Sequence, residues 1–262
     1  MARVPTSLGY SIGYTEAGEG DHTPIVFLHG VGSDKSVWHP QLAHFASERR
    51  AVAFDYPGYG DSDPAPEGTS RENYAAAVLS AMSGLEIYRA HICGLSLGGV
   101  VAIAIHAQAP ERCASLILAD TFAEHPDGRA IYDRSIAASE DLRGMAEARV
   151  DVLLGQPADP AVRSEVVETM ARIDPAAYRI GAKAVWLADQ GERAHDIRVP
   201  TLVLCGTEDK VTPPALSTAL AQLIPGARSE LIEGAGHITS LERPDAFNTL
   251  AGAFIRGVDS RS

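Results

Sequence analysis

The chain has little cysteine, little tryptophan and a deficit of positive charge, and its N-terminus lacks the apolar core of a signal peptide. Its 262 residues contain three cysteines, Cys93, Cys113 and Cys205, with no C-x-x-C spacing. An odd, sparse set argues against a disulfide framework and for a reducing, cytoplasmic setting. Cys93 and Cys205 lie in apolar, strand-like runs and read as small buried hydrophobes. No membrane-spanning segment is read, so neither secretion nor membrane insertion is expected. Net charge is −12, from 34 acids against 22 bases. Such a surface repels phosphate backbones, which makes nucleic acid a poor partner. There is no H-E-x-x-H motif, no Cys/His ligand spacing and no G-K-[ST] pair, so neither a metal, another cofactor nor a nucleotide phosphate site is expected.

What the chain does have is a 45% hydrophobic content arranged in short β-rich runs with helical patterns between them. Leu8–Tyr14 is expected to be a first hairpin strand. Ile25–Leu28, Ala51–Phe54, His91–Cys93, Leu116–Leu118, Leu202–Leu204 and Ser229–Ile232 come next as continuous apolar strands. Continuous strands alternating with helices predict a mostly parallel sheet covered on both faces. The rhythm breaks between 121 and 199, where only amphipathic helical segments are found, separated by Pro157–Pro160 and Asp174-Pro175. The predicted organisation is an α/β core of residues 1–120 and 200–262 with a helical lid, 121–199, inserted after one strand. About 80 residues is too long for an ordinary crossover.

Gly94-Leu95-Ser96-Leu97-Gly98-Gly99 carries the chemistry. It ends a strand and opens a helical run, the setting in which a serine is held in a sharp, strained turn with small residues two before and two after it. A serine hydroxyl needs a base, and the base an orienting acid. His237, in Gly234-Ala235-Gly236-His237 beyond a late strand, fits the base, and Asp209 after Leu202–Leu204 fits the acid. Glu208 and Asp120 compete for the second role. The N–H groups of Leu97 and of Val31, in His29-Gly30-Val31-Gly32, would face a developing oxyanion. His29 reads as the residue that orients that loop rather than as a base. Asp55–Ser62 reads as a structural turn anchored by Asp55.

Together, His29-Gly30, Asp55–Ser62, the Gly94–Gly99 turn, Asp209 and His237 resemble the α/β-hydrolase superfamily across nearly the whole chain. That resemblance implies an eight-stranded sheet with a helical cap. His29–Asp34 with Trp38, Gly94–Gly99, Asp174–Tyr178, Pro200–Val203, Gly206-Thr207 and Thr212–Pro214 are similar to the 3-oxoadipate enol-lactonases, although Thr121–Pro126 replaces that family's tryptophan-containing cap opening. The resemblance implies a cofactor-free Ser96–Asp209–His237 hydrolase of a small ester or lactone. His29, Trp38, Arg134, Tyr178 and Trp186 are the candidate substrate-binding residues, with Arg172, Arg179 and Lys183 as further cations. A carbon–carbon bond hydrolase of ring-cleavage products and a non-catalytic ligand receptor are the alternatives, and a homo-oligomer stays open.

Overall fold

The computed structural model describes residues 2–261. In chain order its elements are β1 (Ala2–Pro5), β2 (Ser11–Ala17), β3 (Ile25–Leu28), α1 (His39–Phe45), β4 (Ala51–Phe54), α2 (Arg71–Gly84), β5 (Ala90–Leu95), α3 (Leu97–Gln108) and β6 (Cys113–Ala119). Five helices come next without a strand element: α4 (Gly128–Ala138), α5 (Leu142–Leu153), α6 (Pro160–Ala171), α7 (Pro175–Trp186) and α8 (Gly191–His195). The chain then returns through β7 (Thr201–Gly206), α9 (Pro214–Leu223), β8 (Arg228–Ile232), α10 (Thr239–Glu242) and α11 (Pro244–Asp259). Among the described residues no helix is long and apolar enough to cross a membrane.

All eight strands form one sheet in the order β1-β2-β4-β3-β5-β6-β7-β8. β1 and β2 pair antiparallel, as do β2 and β4, and every other pairing is parallel. Side chains alternate across a strand, so each central strand feeds two cores. Val26, Leu28, Val52, Phe54, Leu116 and Leu118 pack on the face carrying α2 and α3. Ile25, Phe27, Ala51, Ala53, Ile117 and Ala119 pack on the face carrying α1 and α11. β3 to β7 are buried throughout, which is why their sequences are unbroken apolar runs rather than alternating ones. The β8 edge is exposed and carries Arg228 and Glu230, charges that discourage pairing with another chain.

The first hairpin differs from the sequence reading. Leu8 is not in a strand; it is 46% exposed in the turn between β1 and β2. Thr6 and Tyr10 close that turn through the Thr6 N–H and Oγ1, both donating to the Tyr10 carbonyl, while Gly9 takes φ +89°. Turn geometry overrode the apolar character of Leu8.

The helical segment lies over the carboxyl ends of the strands and is docked closely. On α7, a Cβ at Gly181 would sit 2.1 Å from the Tyr59 hydroxyl, so only glycine lets the helix approach there. At the other side, the His237 N–H donates to the Leu153 carbonyl at 2.7 Å, joining the last loop of the core to the end of α5.

Candidate active site

β5 ends at Leu95 and α3 begins at Leu97, leaving Ser96 as the entire connection, with φ 54° and ψ −112°. A non-glycine residue at positive φ costs about 1–3 kcal/mol and persists only where the surroundings hold it. Here they do. The Ser96 N–H donates to the Ala119 carbonyl at 2.9 Å, and its own carbonyl accepts from the Thr121 Oγ1 at 2.8 Å. The flanking glycines are sterically required: a Cβ at Gly94 would lie 2.1 Å from the Gly98 carbonyl oxygen, and one at Gly98 2.0 Å from that of Leu28. The turn thus aims the Ser96 side chain into a cavity at the positive end of α3, where the Leu97 N–H, first in the helix, has no intrahelical acceptor. The Ser96 hydroxyl is buried and has no hydrogen-bond partner among the described residues.

Asp209 lies beyond β7 and is buried. Its Oδ1 accepts from the N–H groups of Val211 (2.8 Å) and Thr212 (2.9 Å), and its Oδ2 from Thr212 Oγ1 (2.6 Å). His237 Nδ1 lies 2.9 Å from the same Oδ2. Burial opposes the charge of Asp209, but the imidazole and the Thr212 donors outweigh it and hold the carboxyl down to about 2. Burial likewise opposes a charged His237, and the adjoining Asp209 carboxylate outweighs that and raises its pKa. With Nδ1 engaged, Nε2 is the ring nitrogen left for the cavity, which His237 and Ser96 both line. No hydrogen bond joins the two side chains in this structure.

Of the competing acids, Glu208 accepts from the Gln156 N–H at 2.9 Å and does not contact the imidazole. Asp120 is fully buried beside Asp209; burial and the Asp209 charge push its carboxyl well up. It accepts from the Gly206 N–H (3.0 Å) and from Thr239 Oγ1 (2.5 Å), bridging β6, β7 and the turn after His237. Asp120, Cys205 and Asp209 bring potential ligand atoms within 4.8 Å of one another. Their oxygens already accept protein donors, and burial keeps the thiol protonated, so the set does not suit a cation.

Gly30, Val31, Gly32 and Ser33 form the opposite wall, with the Gly30 α-carbon packed toward the Ser96 side chain. His29 stands behind that wall. Its Nδ1 pairs with the Gly30 carbonyl at 2.8 Å, and its Nε2 accepts from the Tyr56 N–H at 3.4 Å. Burial lowers its pKa, so it is a neutral ring carrying its proton on Nδ1. Val31 is held by its carbonyl, which accepts from the Tyr59 hydroxyl at 3.2 Å. Asp55 receives the N–H groups of Lys35 and Asp61 and the Lys35 ammonium, fixing the Asp55–Ser62 turn.

The cavity measures about 60 Å³ and is walled mainly by apolar side chains, among them Leu95, Val166, Met170, Tyr178 and Trp186. Three of the sequence candidates for substrate binding are not brought to it. His29 is covered by its loop. Trp38 is fully buried in the core, stacked on Phe27 at 4.8 Å and tilted against Phe247, because its position on the α1 side of β3 faces away from the strand ends. Arg134 lines a separate, open cleft. The cation that does reach the cavity is Arg149, which the sequence reading missed. Its signal was its place on α5, one turn after Met145 and one before Leu153, where helical spacing calls for an apolar residue. Glu242 was missed too. Its carboxylate accepts from the N–H groups of Gly155 (2.7 Å), Gly236 (3.0 Å) and Ile238 (3.0 Å), clamping both neighbours of His237.

Residues 25–250 match the model of the "Alpha/beta hydrolase family". The chain is 28% identical over 238 residues to 3-oxoadipate enol-lactonase 1 of Acinetobacter baylyi, covering 89% of each protein. It is 23% identical over 255 residues to the (E)-2-((N-methylformamido)methylene)succinate hydrolase of the same organism, covering 92% of this chain and 93% of that one. The crystal structure of the enol-lactonase from Burkholderia xenovorans LB400 superposes with a TM-score of 0.90 at 30% identity, covering 97% of this chain and 100% of that one.

Proposed function

The chain belongs to the alpha/beta hydrolase family, and from that membership and the site geometry we propose a cofactor-independent serine hydrolase that cleaves an ester or lactone of a small carboxylic acid. The observation that carries the proposal is the buried Asp209–His237 pair bordering the same cavity as the strained, unpartnered Ser96 hydroxyl. In this reading His237 Nε2 takes the Ser96 proton as Oγ attacks the carbonyl, and Asp209 stabilises the imidazolium and fixes its tautomer. The Leu97 and Val31 N–H groups receive the tetrahedral oxyanion. His237 then protonates the leaving oxygen, and water hydrolyses the acyl-enzyme by the same steps in reverse. Binding of the substrate closes the Ser96–His237 hydrogen bond, which resting enzymes often hold open.

The helical segment acts as the cap, with Tyr178 and Trp186 shaping the acyl pocket. Three buried free thiols suit a reducing, cytoplasmic setting. Turnover of a panel of lactones, aryl esters and dienoic ring-fission products, with Ser96→Ala alongside, tests the reading. Ester or lactone turnover that falls by about 10⁴ or more in the variant supports it. Turnover confined to ring-fission products would transfer the assignment to carbon–carbon cleavage.

A further inference from the structure

Beside the candidate active site lies a second, open cleft of about 460 Å³, formed by α4, α5 and the loop that carries Asp209. It shares Arg149 and Val211 with the inner cavity. Its charged lining residues are Arg134, Arg149 and Lys210, with no carboxylate among the residues that line it. In a chain of 34 acids and 22 bases, three cations without an acid run against the composition. Arg134 and Arg149 also differ from other arginines of their segment. Arg129, Arg143, Arg163, Arg172 and Arg179 are each paired with Asp or Glu. Among the described residues, the side chains of Arg134, Arg149 and Lys210 make no ion pair or hydrogen bond. Ser135, on the same wall, buries a hydroxyl that has no partner either. That hydroxyl leaves its hydrogen-bonding capacity unused beside the three cations.

We propose that this cleft is the subsite for the part of the substrate remote from the scissile bond, and that this part is polyanionic, bearing two or more carboxylate or phosphate charges. The proposal rests on the serine hydrolase reading above. The inner cavity, about 60 Å³ and mainly apolar, admits a short acyl group next to Ser96. The anionic alcohol or phenol lies outward, where the guanidinium forks of Arg134 and Arg149 and the Lys210 ammonium meet its charges. Ser96 Oγ bonds to the acyl carbon, the ester C–O bond breaks, and the released oxygen takes its proton from His237. The anionic product then leaves through the cleft. Arg149 also lies close enough for its charge to act on the His237 imidazole, so it marks the junction of the two compartments.

The test compares kcat/KM for four acetates of one shape: phenyl acetate, 3-acetoxybenzoate, 5-acetoxyisophthalate and 3-acetoxyphenyl phosphate. At low ionic strength the two dianionic esters are expected to exceed phenyl acetate by about 30-fold or more, and about 0.5 M salt should remove most of that advantage. Whichever dianion leads identifies carboxylate or phosphate as the preferred source. In the Arg134→Gln/Lys210→Gln double variant, the ratio of dianionic to neutral turnover should fall at least about tenfold. Dianions cleaved no faster than phenyl acetate, or a ratio indifferent to the double variant, would overturn the proposal. Failure of the parent reading looks different: phenyl acetate would not be turned over and Ser96 would not be acylated. Calorimetric titration of isophthalate and of phenyl phosphate into Ser96→Ala protein tests the subsite without turnover. Binding that weakens about tenfold on adding Arg134→Gln/Lys210→Gln supports it, and no binding of either dianion contradicts it.

Discussion

Replacing Asp209 by asparagine preserves shape and removes charge, with two separable consequences at the imidazole. The Asp209 Oδ1 role, accepting from the Val211 and Thr212 N–H groups, survives in an asparagine oxygen. The Oδ2 role does not, because an amide nitrogen cannot accept from His237 Nδ1–H or from Thr212 Oγ1. The imidazole then favours the tautomer protonated at Nε2, which cannot take the Ser96 proton, and kcat is expected to fall by about 10⁴. The second consequence is independent of the first. The Asp209 charge overcomes burial to raise His237, so without it burial and the Arg149 charge lower the imidazole pKa. The acidic limb of residual kcat/KM should therefore move to lower pH. Stability changes as well. A carboxyl held at about 2 instead of 3.8 contributes about 2 kcal/mol above its ordinary value, lost as pH falls from there toward 2. The asparagine variant should lose that acid-dependent segment of its urea stability curve. Asp120→Asn is the control, because Asp120 is bonded to Gly206 and Thr239 rather than to the imidazole. A variant at 209 with less than a tenfold loss and an unmoved acidic limb, or a large loss at 120 instead, would refute the assignment of the two acids.

Glu242→Gln weakens three charge-assisted bonds to the backbone around His237, so kcat should drop by about tenfold with KM little altered. Steady-state kinetics beside thermal melting will separate this positioning effect from unfolding. Trp38→Ala removes a fully buried ring from the Phe27–Phe247 stack and should cost about 3–5 kcal/mol by urea denaturation. Its folded fraction should retain wild-type KM, and a raised KM would return Trp38 to the substrate pocket. Gly98→Ala would place a methyl group 2.0 Å from the Leu28 carbonyl oxygen, so little soluble, folded protein is expected on expression. Folding at wild-type stability would show that the turn has slack.

The central strands were readable because burial on both faces leaves an unbroken apolar run, and Ser96 and Asp209 stood out because each comes after such a run at a strand end, whereas His237 follows the exposed edge strand β8. Leu8 misled because an apolar residue in a hairpin turn has the composition of a strand, and only the φ of Gly9 separates the two. Trp38 misled for a different reason. It adjoins the loop that walls the cavity in sequence, but its ring packs into the core against Phe27 and Phe247. Arg149 resembles any solvated helix arginine until the packing of α5 places it between two compartments. Glu242 acts through backbone N–H groups brought in from the end of α5, a contact across 87 residues that spacing along the chain does not reveal.

The reactivity of one hydroxyl tests the mechanism most directly. Folded protein treated with a fluorophosphonate and analysed by peptide mass spectrometry should carry one phosphonyl group per chain, on the peptide containing Ser96, with labelling slowed by His237→Asn. Absence of the adduct, or an adduct on another serine at equal rate, would contradict it.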